Sequence, residues 1–170
     1  MELSEAIRKR YSCRAYQERP VEEEKLDKIF EAAQLAPSAK NFQDWRFVAV
    51  TDKQTRMDLS IAANNQSFVA QAPVVIACCS SLSHWMWCGQ PTGSIDVAIA
   101  MEHIALVATS LGLATCWIGS FCPDEVRRIL QIPTHIHVIE LLTLGYPADK
   151  QPQPKRLPIE NIACREKWTF

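Results

Sequence analysis

Two short runs carry side chains whose types and spacing could do chemistry. In Arg10-Tyr11-Ser12-Cys13-Arg14, two arginines flank a serine. Extended backbone there puts Arg10, Ser12 and Arg14 on one side. Two guanidinium forks and a hydroxyl on one face make a site for phosphate or carboxylate. A solvated basic edge is the plainer alternative. The second run, Leu35 to Phe47, gathers Pro37, Ser38, Asn41, Gln43 and Trp45 in one turn-rich loop. Its hydrogen-bonding groups, rigid proline and aromatic face suit a flat polar ligand. A capped surface loop is again the alternative, since Ser, Asn and Pro are ordinary turn formers.

These runs need elements to position them. Leu3, Ala6 and Ile7 recur at helical spacing from about Glu2 to Lys9, a helix that delivers Arg10–Arg14. Pro20 opens a second helix, Glu22 to Leu35, whose acidic first turn complements the helix dipole. Leu26, Ile29, Phe30 and Ala33 form its buried stripe, and Pro37 ends it. Trp45 to Thr51 reads as a strand with Phe47, Val48, Ala49 and Val50 buried. Asp52 to Ala63 reads as a helix with Met57 and Ile61 inward and Leu59 a further candidate; Asn64-Asn65-Gln66-Ser67 breaks it.

Pro73 to Cys79 reads as a strand buried on both faces. An irregular stretch, 80–93, holds His84-Trp85-Met86-Trp87-Cys88, suited to a short lid or to packing on a partner. Ser94 is expected to cap the longest helix, to about Leu111, with almost no polar face beyond Asp96, Glu102 and His103. Gly112 stops it. A strand from Leu113 ends in the Gly119-Ser120 turn, and Pro123 opens a helix to Leu130. Ile136 to Tyr146 is the last strand. Ala148 to Phe170 is Pro-rich, then weakly helical around Ile159–Ala163.

Composition narrows the classes. The chain has 170 residues, 48% of them hydrophobic, enough for a sizeable core. A net charge of −1 gives no global attraction to nucleic acid or anionic membrane. No apolar run is expected to approach the length of a membrane span and no signal peptide is read at Met1, so a cytoplasmic location is expected. Seven scattered cysteines without a Cys-x-x-Cys read as reduced thiols. His84 with Cys88, and His135 with His137, each lack a third metal ligand, so no metal is expected. Dinucleotide and Walker fingerprints are missing from the sequence.

In their order and separation the two runs resemble the nitroreductase family of flavin mononucleotide (FMN) oxidoreductases. There an Arg-x-Ser-x-Arg segment precedes a Pro-Ser-x-x-Asn-x-Gln-x-Trp segment by about one helix. Here these are Arg10–Arg14 and Pro37–Trp45, with Asp44 where the family often has Pro. Trp117-Ile118-Gly119-Ser120 and Lys155-Arg156-Leu157-Pro158 extend the resemblance over nearly the whole chain.

Alternating helices and strands alone suggest a parallel sheet. The resemblance implies instead an α+β fold, a mainly antiparallel sheet flanked by helices, as one domain over 1–170. Residues 148–170 would extend over the body or a partner subunit. It also implies an intertwined homodimer with FMN at the interface. One chain would give Arg10, Tyr11, Ser12, Arg14, Gly119 and Arg156, and the other Pro37, Ser38, Ala39 and Asn41. Asn64, or second Gln66, would read the pyrimidine edge. Trp117, Ile118, Gly119 and Ser120 would pass across the ring, a backbone N–H near Gly119 facing N5. Arg10, Ser12 and Arg156 would neutralise the phosphate, and Arg14 would tune the potential. The cofactor carries the chemistry, so no protein nucleophile is needed. The implied activity is electron transfer from NADH or NADPH through flavin N5 to a nitroaromatic, quinone or similar small acceptor by a ping-pong mechanism. The alternative is a non-catalytic FMN-binding, storage or sensing protein.

Overall fold

The computed structural model describes residues 1–81, 84–152 and 155–170. Along the chain come α1 (Leu3–Lys9), α2 (Glu23–Gln34), β1 (Trp45–Val50), α3 (Lys53–Ala62) and α4 (Ser67–Gln71). Then follow β2 (Val74–Ser80), α5 (Thr92–Ser110), β3 (Ala114–Ile118), α6 (Pro123–Leu130) and β4 (His137–Gly145). Short 3-10 turns lie at Ala39–Asn41 and Ile159–Asn161. The strands form one sheet in the order β1-β2-β4-β3, and each neighbouring pair is antiparallel. The α+β expectation therefore holds, and the parallel sheet suggested by alternation alone does not. Hydrophobic pattern specifies burial and carries no strand direction.

Helices cover both faces. On one, Val75, Ala77 and Leu141 of the inner strands meet Leu59, Val69 and Val126 of α3, α4 and α6. On the other, Ile76, Leu142 and Leu144 meet Ile29 of α2 and Met101 and Ile104 of α5. β2 is inner and covered twice, so all seven of its residues are buried. α5 is long and apolar enough by composition to cross a bilayer, which corrects the expectation that no apolar run approaches that length. Its apolar length is used in packing against α2 and the sheet.

Several local expectations are corrected. β1 lies at the sheet edge, so Val48 and Ala49 are exposed, Phe47 is half-buried, and Trp45 and Val50 carry its burial. In α3, Met57 and Ile61 point outward while Leu59 and Ala62 are buried. Asp52 caps that helix by accepting from the Thr55 N–H at 2.8 Å. α5 starts at Thr92 after Pro91, so Ser94 lies inside it and caps nothing. The break is shorter than expected: Ser67 already starts α4, a helix the sequence pattern does not signal.

Gly145 has no room for a side chain. A Cβ there would lie 2.4 Å from Pro73 Cδ and 3.0 Å from the Tyr16 ring. Gly112 adopts φ +78°, the left-handed conformation that ends α5.

Candidate functional site

α1 ends at Arg10, whose backbone turns extended. The next residues run along the outer edge of β3: Cys13 N–H donates to Thr115 O at 3.0 Å, and Ser12 pairs with Thr115 in the parallel sense. Alternation holds from Ser12 to Arg14, with Cys13 buried between two exposed neighbours, and ends at Tyr16, which is buried although it has the parity of Ser12. Tyr16 fixes the arm from below: its hydroxyl lies 3.0 Å from Cys13 O and 2.7 Å from Thr143 Oγ1. From above, Tyr11 donates to Asp149 Oδ1 at 2.7 Å and Ala148 N–H donates to Ala15 O at 2.9 Å. Burial, followed by the Asp149 contact, pushes the Tyr11 phenol well up, so it stays a neutral donor.

Arg10 reaches a cleft of about 690 Å³ whose lining includes Arg8, Glu102, Gln151 and Arg156. Its Nε is 3.7 Å from Glu102 Oε1. Burial raises the Glu102 carboxyl, and Arg10 and His103 partly offset that. Three guanidinium groups against one carboxyl leave the cleft positive, as an anion such as a phosphate requires. Arg8 went unnoticed in the sequence reading, although it sits two residues before Arg10 at the basic end of α1. Arg14 sits further along the arm, with Nη1 3.4 Å from Ser12 O and its guanidinium 5.9 Å from the Phe68 ring centroid. Burial lifts the Cys116 thiol of β3, and Arg14, Ser12 and Arg10 pull it back.

β3 leads into the second half of the site. Trp117 is half-buried and Ile118 buried, while Gly119 and Ser120 are exposed. Asn64 Nδ2 donates to Ser120 Oγ at 2.7 Å, and Gln66 Nε2 donates to Ser120 O at 3.2 Å. Both amide candidates therefore meet the Gly119–Ser120 turn. A Cβ at Gly119 would stand 3.3 Å from Glu140 Oε1, so the turn is closely backed there. Glu140 was not anticipated; its signal was a lone acid in an otherwise apolar strand run.

The Pro37–Asn41 loop stands apart. Ala39 N–H donates to both carboxylate oxygens of the buried Asp96, at 3.1 and 3.2 Å. Lys40, Asn41 and Gln43 have positive φ, and Ser38 Oγ accepts from Gln43 N–H at 3.0 Å. Asp44 makes a local junction, accepting from Ser80 Oγ at 2.8 Å and from Ser81 N–H at 2.7 Å. Asp96 and Glu102 are about 9 Å apart along α5, at 1.5 Å per residue. Pro37, Ser38, Ala39 and Asn41 thus do not line the cleft of Arg10 and Arg156 within one chain.

Near that loop, Phe42 and His84 rings lie 6.5 Å apart, and Trp85 and Trp87 project outward, 69% and 106% exposed. A further cleft, of about 640 Å³ and lined in part by Arg19, Lys53 and Arg56, holds none of the candidate site residues.

The donor set fits FMN. A cluster of arginines suits its phosphate, and an exposed glycine turn leaves room for a flat ring to approach the backbone. An antiparallel α+β fold, a cleft lined by arginines and an exposed Gly-Ser turn after β3 together suit a nucleotide cofactor. The nitroreductase family model matches residues 7–66 and 56–146, and the chain belongs to the nitroreductase family. FMN reductase [NAD(P)H] of Bacillus subtilis is 30% identical, over 98% of this chain and 74% of the relative. The crystal structure of a nitroreductase family protein from Clostridium difficile 630 is 34% identical, with a TM-score of 0.88 over 99% of this chain and 100% of that one. The NADPH:FMN oxidoreductase of Vibrio harveyi complexed with NAD+ is 25% identical, with a TM-score of 0.89 over 99% of this chain and 78% of that one.

Proposed function

We propose that this chain passes electrons from NADH or NADPH through flavin N5 to a nitroaromatic, quinone or similar small acceptor by a ping-pong mechanism. It is an FMN-dependent NAD(P)H oxidoreductase of the nitroreductase family. The observation that carries the reading is the meeting of Arg8, Arg10 and Arg156, from opposite ends of the chain, in one cleft. When bound, FMN accepts a hydride at N5 and hands electrons to a second substrate.

The chain's residues bind and orient. Arg10, Ser12 and Arg156, with Arg8, hold the phosphate. Arg14 places a cation where added negative charge needs one, which makes the bound cofactor a better acceptor. Trp117–Ser120 present backbone to the ring, Asn64 and Gln66 fix that turn, and Tyr11 fixes the arm. Pro37, Ser38, Ala39 and Asn41 serve the site of a second subunit in a homodimer. Their separation from the arginine cleft supports that assignment. Residues 1–170 act as one domain in the cytoplasm. The segment from Leu157 exposes Leu157, Ile159, Ile162, Trp168 and Phe170, which suits it to lie on the partner.

The test is an absorption spectrum of the purified protein, then anaerobic NADH and NADPH. Bound flavin that bleaches at once and recovers with a nitroaromatic is the expected result. Flavin that stays oxidised would instead favour an FMN-binding, storage or sensing protein.

A further inference from the structure

Glu140 is a half-buried acid in a mostly apolar strand. It pairs with Cys78 of β2 beside a bulge at Cys78/Cys79. Its carboxyl backs the Gly119–Ser120 turn: a Cβ at Gly119 would stand 3.3 Å from Oε1, close enough that the carboxyl would have to give slightly. Oε2 is buried and has no hydrogen-bond partner among the described residues. An ionised carboxylate is poorly solvated there. Burial is what raises it, and no described cation offsets that. The groups that face it are few. β2 presents the Cys78 thiol, itself held neutral by burial, and the turn after β3 presents uncharged Gly119. On its own strand His137 is exposed, three residues away.

We propose that Glu140 takes up a solvent proton at its carboxyl when negative charge is added to a cofactor lying on the Gly119–Ser120 turn. This rests on the FMN reading above. A hydride from the nicotinamide brings two electrons and one proton and leaves oxidised NAD(P)+. It adds one negative charge at the site. Glu140 takes one proton from water, so the site's net charge is unchanged. A quinone acceptor then takes two electrons and two protons to give the hydroquinone, and Glu140 is left ionised again. The residue is a positioning group for charge, and reduction becomes a two-electron, two-proton event.

The experiment is the midpoint potential of bound FMN from pH 5 to 9, by dye equilibration, in wild type, Glu140→Gln and Glu140→Ala. FMN affinity is measured on the same preparations by fluorescence quenching. Each proton per two electrons contributes about 30 mV per pH unit, the value of a tenfold change for a two-electron couple. The wild type should show a window in which its slope is twofold that of both variants, with all three binding FMN. Equal slopes in wild type and a variant that binds FMN would overturn the proposal and leave the FMN reading standing. Failure of the wild type to bind FMN would overturn both. If neither variant folds, a wild-type slope without a window of two protons overturns it alone. The FMN-free protein gives a second readout. A carboxyl raised on folding lends stability that is lost as pH rises through its folded pKa. Glu140→Gln should remove that loss; an unchanged pH profile of thermal stability counts against the proposal.

Discussion

Asn64 donates its side-chain N–H to Ser120 Oγ at 2.7 Å, tying the break after α3 to the turn after β3. The amide therefore shapes the turn that a flavin ring would meet. A double-mutant cycle of Asn64→Ala and Ser120→Ala should show coupling of about 0.5–1.5 kcal/mol in FMN affinity, the net value of a neutral hydrogen bond. Additive losses would show that the pair does not act on the cofactor.

The arginine cleft predicts a salt-sensitive phosphate contact. Arg10→Ala and Arg156→Ala should each weaken FMN binding by about 1.5–3 kcal/mol, roughly 10- to 150-fold, as loss of a charge-assisted bond does. The loss should shrink in high salt. Riboflavin, which lacks the phosphate, should bind wild type and both variants alike. Fluorescence titration at two ionic strengths checks this, and equal losses for FMN and riboflavin would remove the cleft from the phosphate role.

Tyr146 links the end of β4 to the start of α2. Its hydroxyl donates to Glu22 Oε2 at 2.5 Å and accepts from Lys25 Nζ at 2.6 Å. The Tyr146 bond is the main reason the Glu22 carboxyl falls to about 2. A carboxyl lowered on folding adds stability above its unfolded value, and that stability is lost as pH falls toward the folded one. Tyr146→Phe should therefore lower Tm near neutrality and converge with wild type as pH drops from about 4.5 toward 2. A gap in Tm that persists at pH 2 would assign the effect to packing.

Thiol reactivity should divide the cysteines. Cys88, Cys122 and Cys164 are exposed; Cys13, Cys78, Cys79 and Cys116 are buried. Burial pushes Cys13 and Cys79 up to about 11, so neither offers thiolate near neutrality. An aromatic disulfide reagent should react quickly with Cys88 and Cys122 in native protein, more slowly with Cys164 where its segment lies on the partner, and with the other four only on unfolding. Any of those four reacting before unfolding would mean that a buried site opens readily.

What the sequence disclosed follows from how its signals are built. Helix α6 was placed to the residue because Pro123 fixes its first turn and its apolar positions recur cleanly. The arm from Arg10 to Arg14 was legible because alternation is local, and its Cys13 does face the core. Val48 and Ala49 were misjudged because burial of a strand depends on its place in the sheet, and β1 became an edge. Met57 and Ile61 were misjudged because they share one face at helical spacing, while Leu59 and Ala62 share another. Apolar type alone does not choose between two such faces. In the site, each segment was readable singly; the distance between Pro37–Asn41 and the arginines depends on how both dock on α5, which no local pattern encodes.

Gly145 sits where three distant parts of the chain come together: the last strand, the Pro73 ring and the Tyr16 ring. A slip of β4 by one residue would bring Leu144 or Tyr146 to that point, and either carries a Cβ that the gap cannot admit. The same gap therefore fixes two things at once: the register of β4 and the seat of the N-terminal arm that bears Arg10, Ser12 and Arg14.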